Sequence, residues 1–287
     1  SYENGIITPL QTVLIDGNVY EQFWIDEYNG NLRVVSFIYK YSNETIKDDT
    51  SDIIAISNQN TESAVYILDS NLKIIGNIDG LGEGENLQSV RFDGDIVYFV
   101  TFLQTDPLFA VDLSNPAKPS KISELKVTGF SSYLHKWSDT ELLGIGMEAD
   151  DEGRVTGTKI SMFDVNTKTE MNEIGRNIID NSYYSWNLSY KDYLVDPVKN
   201  LIGFEIGIYN NNINYECESY YMLYNYENNQ FNKLLQYTNE NVNLQEYEDV
   251  YYRGLYVNNY LYIVTVGYGV QSINLNDMTY GDYVSFN

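Results

Sequence analysis

Residues 96–116 read IVYFVTFLQTDPLFAVDLSNP, and this stretch decides the fold. Two short apolar runs rich in Val, Phe and Leu are separated by a polar break, and the second run ends in Asp112 followed by a turn sequence. Runs of this length and composition are typical of β-strands. The side chain of an Asp at such a point can accept a bond from the backbone two residues further on and so start a turn. The stretch therefore predicts two successive strands closed by a turn.

The same marker, an Asp or Asn after apolar residues and before a turn, recurs along the chain at Asp69, Asp112, Asp164, Asn225 and Asn274. Successive markers are 43, 52, 61 and 49 residues apart, which brackets the ~40–50 residues of a four-stranded propeller blade. The spacing predicts an all-β propeller of five blades, or of six or more if further N-terminal blades exist. The expected blades are 21–80, 86–127, 131–176, 182–238 and 248–287 of a single domain, with an additional N-terminal strand at 8–16 that could close the ring.

The strand before each marker is apolar on both alternating faces, which is typical of a strand buried on both sides. We interpret these strands as the inner strands of the blades, and the more polar segments after the markers as outer strands. Amphipathic helical periodicity is hard to find, which disfavours an α/β fold. A β-sandwich would show turns every 8–12 residues without a longer period.

The net charge and the single cysteine narrow the range of partners and covalent bonds that the chain can have. The chain carries 17 basic and 41 acidic residues, a formal net charge of −24, which disfavours nucleic acids and anionic membrane surfaces as partners. Cys217 is the only cysteine, so no intrachain disulfide can form. No apolar run reaches the roughly 18 residues of a membrane span. We expect a mature or trimmed extracellular or cell-surface chain, without membrane insertion by this segment.

Several stretches of the chain share one order and character: 23–33, 89–92, 100–102, 106–109, 112–116, 129–135 and 142–146. In these stretches the chain resembles the C-terminal β-propeller domain of a family of secreted prokaryotic proteins, distantly related to WD repeats, and the similarity is dense over 21–165. The resemblance implies a propeller fold, an extracytoplasmic location and relatives that are longer at the N-terminus, but no activity, because the family's function is uncharacterised.

Aromatic residues near the predicted inner strands suggest a ligand site. Rings with a polar tip suit sugars or peptides, so a non-catalytic binding or scaffold module with an extracellular glycan or protein ligand at the channel rim is the first hypothesis. Packing between blades is the alternative use of these rings. The candidate ligand-binding residues are Trp24, Trp137, Trp186, Tyr183, Tyr184, Asp26 and His135.

A channel-centred glycoside hydrolase is the alternative function. Such an enzyme needs two carboxylates roughly 5–10 Å apart with different pKa values, and Asp26, Glu27, Asp192 and Asp196 fall near predicted inner strands. His135 is the only histidine, so a site with two histidine ligands to a metal is excluded.

Two acidic loops, 47–52 and 148–153, could hold a hard cation. Ca²⁺ needs six to eight oxygen ligands, and Asp150, Asp151 and Glu152 could supply some of them. Neither loop follows the EF-hand pattern, and acidic runs usually face water. We therefore expect no catalytic metal and no cofactor, with Ca²⁺ at residues 150–152 as the open alternative.

Overall fold

A computed structural model describes residues 2–9, 11–47, 53–103, 106–167, 169–183, 189–209, 217–240 and 250–286. The described residues form five antiparallel sheets and a short N-terminal hairpin, and their only helical segments are two 3₁₀ turns, at Gln22–Trp24 and Tyr190–Asp192. The prediction of an all-β chain with five sheets of four strands is confirmed. None of the helical segments in these ranges has the length and apolar character needed to cross a bilayer.

Each sheet is a meander in which neighbouring strands follow one another in sequence. The hairpin consists of β1 (Tyr2–Glu3) and β2 (Ile6–Ile7). Sheet 1 contains β3 (Ile25–Tyr28), β4 (Asn31–Lys47), β5 (Ile53–Leu68) and β6 (Ile74–Leu81). Sheet 2 contains β7 (Asn86–Asp93), β8 (Ile96–Phe102), β9 (Asp106–Asp112) and β10 (Ser120–Val127). Sheet 3 contains β11 (Phe130–Lys136), β12 (Glu141–Ala149), β13 (Val155–Thr167) and β14 (Glu170–Asp180).

Sheet 4 differs because its first strand is interrupted. Both β15 (Ser182–Tyr183) and β16 (Leu194–Asp196) pair with the same edge of β17 (Leu201–Tyr209), which is followed by β18 (Cys217–Glu227) and β19 (Gln230–Tyr237). Sheet 5 contains β20 (Tyr252–Val257), β21 (Tyr260–Thr265), β22 (Gly269–Asn274) and β23 (Tyr280–Ser285).

The strands predicted as inner strands are the second strands of their sheets, so that part of the prediction was wrong. Each of them pairs with the first strand of its sheet on one side and with the third strand, which carries or directly precedes the marker, on the other. A strand in the middle of a sheet is apolar on both faces when both faces are covered, and the expected inner strand has the same pattern. The pattern therefore shows that a strand is buried, but not which place it takes within its sheet. The polar segments after the markers are the fourth strands, as predicted.

Four of the five marker residues make the expected side-chain bond, and three of them start a turn. The Oδ1 atom of Asp112 accepts from the backbone N–H of Ser114 at 2.8 Å, and equivalent bonds form at Asp69, Asp164 and Asn274. The strand ends at or just before the marker in each of these cases except Asp164, where β13 continues to Thr167. At Asn225 the side-chain oxygen accepts from Asn232 instead, β18 continues to Glu227, and the turn is formed by Asn228 and Asn229, both with positive φ. Two successive left-handed residues are what a type I′ hairpin turn requires.

The chain divides into two compact units, one of residues 1–130 with 167–171 and one of residues 131–166 with 172–287. In the first unit, the core between sheets 1 and 2 contains Val35, Ile67 and the stacked rings of Phe99 and Phe109, whose centroids are 5.0 Å apart. In the second unit, sheet 4 is covered on both faces. Met222 and Tyr224 pack with residues of sheet 3, whereas Tyr221 and Leu223 pack with residues of sheet 5.

The extra strand predicted at 8–16 is not formed by the described residues of that segment. Val13 and Ile15 pack on the face of sheet 1 that carries Tyr66, and a single bridge joins Asn18 to Phe37 through bonds of 2.8 and 2.9 Å. The prediction of a strand at 8–16 was therefore wrong: the described residues of the segment cover a sheet face with half-buried side chains instead of joining a ladder.

One face of sheet 5 is exposed. Tyr260, the first residue of the second strand, is 46% exposed, whereas Leu201, at the corresponding place in sheet 4, is 5% exposed under sheet 5. Val257 and Val284 lie on the same exposed face. Sheet 5 thus buries one apolar face in the second unit and presents the other to solvent.

Candidate functional site

The predicted aromatic residues serve mainly in packing where the structure describes them. Trp24 is 4% exposed in the core of the first unit and meets Tyr20 edge to face at 5.7 Å. In the second unit, Trp137 packs edge to face on Tyr226 at 6.3 Å, and the ring of Tyr183 lies 4.9 Å from that of Tyr209. Tyr184 and Trp186 lie outside the described residues.

His135 belongs to a small aromatic cluster formed by the first strand of sheet 3, β11, and by Tyr193, which directly precedes β16. Its Nδ1 atom is 2.9 Å from the hydroxyl oxygen of Tyr133, and the Tyr133 ring stacks on Tyr193 at 4.5 Å. The three side chains are half-buried. A histidine held by a phenol and beside stacked rings has a sufficient structural role, and its assignment to a ligand site stays a prediction.

Asp26 is engaged by a buried cation. Its Oδ2 atom accepts from Nε of Arg33 at 2.9 Å, and a second guanidinium nitrogen contacts the same oxygen. Arg33 is 4% exposed and lies over the rings of Tyr28 and Phe92 at 4.6 and 4.9 Å. Since a buried guanidinium needs a partner, the pairing accounts for Asp26 structurally.

The other candidate catalytic carboxylates are held separately. Glu27 accepts from the backbone N–H of Gly30 at 3.0 Å, and Asp192 closes a capping box by accepting from Ser189 N–H at 2.7 Å. Asp196 accepts from the Tyr256 hydroxyl and from the N–H of Lys199 at 2.9 Å. The Tyr256 hydrogen bond is the main reason that the pKa of Asp196 is lowered, which favours the ionised carboxylate over a general acid.

The acidic loop at 150–152 is organised around an arginine. Asp150 accepts from the N–H and from Nε of Arg154, both at 2.8 Å, and Arg154 also contacts Glu152 at 2.9 Å. The backbone hydrogen bond from Arg154 is the largest cause of the lowered pKa of Asp150. Within the part of the chain that the structure describes, no group of three or more His, Cys, Asp or Glu residues is arranged for a metal ion. Calcium at this loop stays a prediction, and Asp48, Asp49 and Asp52 of the other loop lie outside the described residues.

A groove that the sequence analysis did not identify lies between sheets 3 and 4 of the second unit. It is an open depression of about 680 Å³ beside the last strand of sheet 3, β14, and the strands β17, β18 and β19 of sheet 4. This volume is within the ~300–1,000 Å³ range of small-ligand sites. Its lining residues are Asn177, Ile178, Ile179, Asp180, Ile208, Met222, Tyr224, Phe231, Asn232, Lys233 and Gln236.

The apolar side chains beneath the groove are buried, and polar side chains are exposed along its edge. Met222, Tyr224 and Phe231 are buried, whereas Asn232, Lys233 and Gln236 are exposed. A hydrogen bond joins the side chains of Tyr224 and Asn177, and burial raises the pKa of Tyr224 to about 12. The phenol therefore stays neutral at any pH near 7. Asn177 and Asn232 come from strands more than 50 residues apart, which is why no local motif marked the site.

The comparisons with known proteins agree with the fold. A model of the family described as "Beta propeller domain" matches residues 1–278. An uncharacterised protein of Archaeoglobus fulgidus is 40% identical over 183 residues, which are 63% of this chain and 25% of that protein. An uncharacterised protein of Methanocaldococcus jannaschii is 32% identical over 254 residues, which are 86% of this chain and 34% of that protein.

The chain thus spans between a quarter and about a third of the length of these archaeal relatives. The family match covers all five sheets except the end of the last one. Five consecutive four-stranded meanders, matched over this length, also agree with the resemblance seen in the sequence. The chain belongs to the β-propeller domain family.

Proposed function

We propose that this propeller is a non-catalytic binding module that acts outside the cell on a glycan or protein ligand. The observation that carries the proposal is that each candidate carboxylate with a described environment is held by its own structural partner, and that these partners differ. An acidic excess distributed in this way serves solubility and local turns. The extracellular location is supported by the acidic composition and by the resemblance to secreted proteins.

The hydrolase alternative has less support. Asp26 and Glu27 are successive residues of β3, and successive side chains of a strand point to opposite faces of the sheet. Their two carboxylates therefore do not face each other across one sugar ring, as a pair of catalytic carboxylates must. The lowered pKa of Asp196 is also the opposite of what a general acid requires.

One experiment separates the two functions. The full chain is incubated with a panel of soluble polysaccharides and oligosaccharides, and the same panel is used for binding and for release of reducing ends. We expect binding without release of product. Release that is abolished in Asp26→Asn, Glu27→Gln or Asp196→Asn, with the variants still folded, would establish the hydrolase instead.

A further inference from the structure

We propose that the exposed face of sheet 5 is an internal contact surface of a longer protein. On this proposal the face packs against a further four-stranded sheet of the same kind, contributed by chain outside residues 1–287. The inference is independent of the proposed binding function, because it concerns the assembly of the propeller and not its ligand.

The exposed face is apolar on all four strands of the sheet. The register places Val257 beside Tyr260 and Val270 beside Val284 on this face, and Tyr260 and Val284 are 46% and 61% exposed. Contiguous apolar surfaces of this kind are rare on soluble proteins unless they bind something. The apolar side chains of the face are Leu255 and Val257 of β20, Tyr260, Tyr262 and Val264 of β21, Val270 of β22 and Val284 of β23.

The face carries few charges although the chain is strongly acidic. Arg253 lies on it at one end of β20, and Asp282 borders an open depression of about 520 Å³ over β21, β22 and β23. Tyr260, Tyr262, Val270 and Val284 also line this depression. The outermost repeat of a stack normally has a polar outer face, so sheet 5 lacks the character of an outermost sheet.

Sheet 4 shows what a face of this kind binds. Leu201, Tyr221 and Leu223 lie on the corresponding face of sheet 4 and are buried against Leu261 and Ile263 of sheet 5. In the second unit, sheet 4 therefore has a neighbouring sheet on each face, whereas sheet 5 has one on a single face. A repeat that cannot bury its apolar face alone does so by stacking on the next repeat.

The width of the face favours a whole sheet over an irregular segment as its cover. On sheet 1, residues 13–19 cover apolar side chains of two strands, β4 and β5, among them Val34 and Tyr66. The face of sheet 5 is apolar on four strands, and strands ~4.8 Å apart require a cover roughly 15 Å wide. A second sheet packed face to face provides a cover of that width.

The lengths of the relatives favour a sheet of the same chain over a second copy of it. The matched residues make up 25% and 34% of the two archaeal relatives, which leaves room in those proteins for further sheets. Two copies that each carry a net charge of −24 repel each other. A linked segment is instead held near the face at a ~millimolar effective concentration.

The test compares residues 1–287 with the complete gene product that contains them. Val284→Cys and Val257→Cys probe the face on two strands, and Val198→Cys, at an isolated position that is 97% exposed, is the matched control. All three are made after replacement of Cys217 and any cysteine outside these residues by Ser, and thermal melting checks the fold. We expect the V284C and V257C thiols to react with a thiol reagent at least ~10-fold more slowly in the complete product than in residues 1–287. The V198C thiol should react equally in both.

A photo-crosslinker attached to the V284C thiol of the complete product then identifies the cover. We expect capture of a peptide from outside residues 1–287 in which an apolar strand precedes an Asp or Asn turn, as at Asp112. Capture within residues 1–287, or of a segment without that pattern, would overturn the proposal. Protection that is lost on dilution would assign the face to a second copy, and equal reactivity in both chains would mean that nothing covers it; both results contradict a further sheet. A gene product without further sequence of this kind would refute the proposal before any labelling.

Discussion

Replacement of Tyr221 by Phe is expected to stabilise the protein. Tyr221 is a fully buried side chain of β18, and its hydroxyl has no hydrogen-bond partner among the described residues. Burial alone raises the pKa of this phenol far above its usual value. A buried polar group without a partner costs about 1–3 kcal/mol, and Phe keeps the ring while removing that group. We expect a gain of about 1 kcal/mol, which corresponds to a rise in Tm of ~2–4 °C for a unit of this size.

The glycines around Tyr221 define how tightly it is held. A Cβ atom added to Gly254 would lie 1.9 Å from the Tyr221 hydroxyl oxygen and 2.2 Å from Cζ, and one added to Gly203 would lie 2.3 Å from the same oxygen. Overpacking of this severity predicts that Gly254→Ala destabilises the protein by about 3 kcal/mol. Tyr221→Phe in the Gly254→Ala background removes the closest contact but leaves the contact to Cζ, so we expect partial rescue and a non-additive cycle.

Tyr224→Phe is the matched control because Tyr224 is a buried tyrosine of the same strand whose hydroxyl does have a partner, Asn177. We expect it to lose about 0.5–1.5 kcal/mol. Urea unfolding followed by circular dichroism compares the midpoints of the single variants. If Tyr221→Phe destabilises the protein as much as Tyr224→Phe does, the Tyr221 hydroxyl has a partner and the reasoning is refuted.

Three further predictions test other parts of the structure. Asp26→Asn leaves the buried Arg33 guanidinium without its anion, so we expect the free energy of unfolding, measured by thermal unfolding, to fall by about 1–3 kcal/mol. An unchanged free energy would mean that the Gly94 carbonyl and the two aromatic rings are sufficient partners for the guanidinium. Tyr256→Phe removes the hydrogen bond that lowers the pKa of Asp196. A lowered folded-state pKa stabilises the protein above the unfolded-state pKa, so the difference in Tm from the parent should be largest near pH 7 and shrink as the pH falls below about 4; a difference independent of pH would contradict it. Val284→Lys on the exposed face of sheet 5 should reduce the binding of a hydrophobic dye. The control Val198→Lys, which changes an isolated exposed valine in the turn before β17, should leave dye binding unchanged. Equal effects of the two variants would mean that the face does not act as one apolar surface.

The sequence predicted turns correctly where the residues that form a turn are neighbours in the chain. Asp69, Asp112 and Asn274 could be recognised because the side chain of each starts its turn with the next few residues, whereas Asp164 makes the same bond within β13. The failure at Asn225 has the same origin, since Asn228 and Asn229 form a competing turn two residues further on.

Alternation was informative about burial but not about pairing. The segment 8–16 was predicted as a strand, yet in the described structure its Val13 and Ile15 pack on a face of sheet 1 and no strand edge receives it. The doubly apolar second strands were assigned to the wrong place within the sheets for a related reason. The spacing of apolar residues along a strand shows which of its faces are covered by other parts of the protein. The place of the strand within its sheet depends instead on pairing with residues elsewhere in the chain.

The candidate groove was not predictable because its residues have no distinctive sequence neighbourhood, and because abundant carboxylates drew attention elsewhere. In the described structure several basic side chains hold particular carboxylates: Arg33 pairs with Asp26, Arg154 with Asp150, and Arg176 with the buried Glu148. An acidic residue in this chain is therefore weak evidence for chemistry.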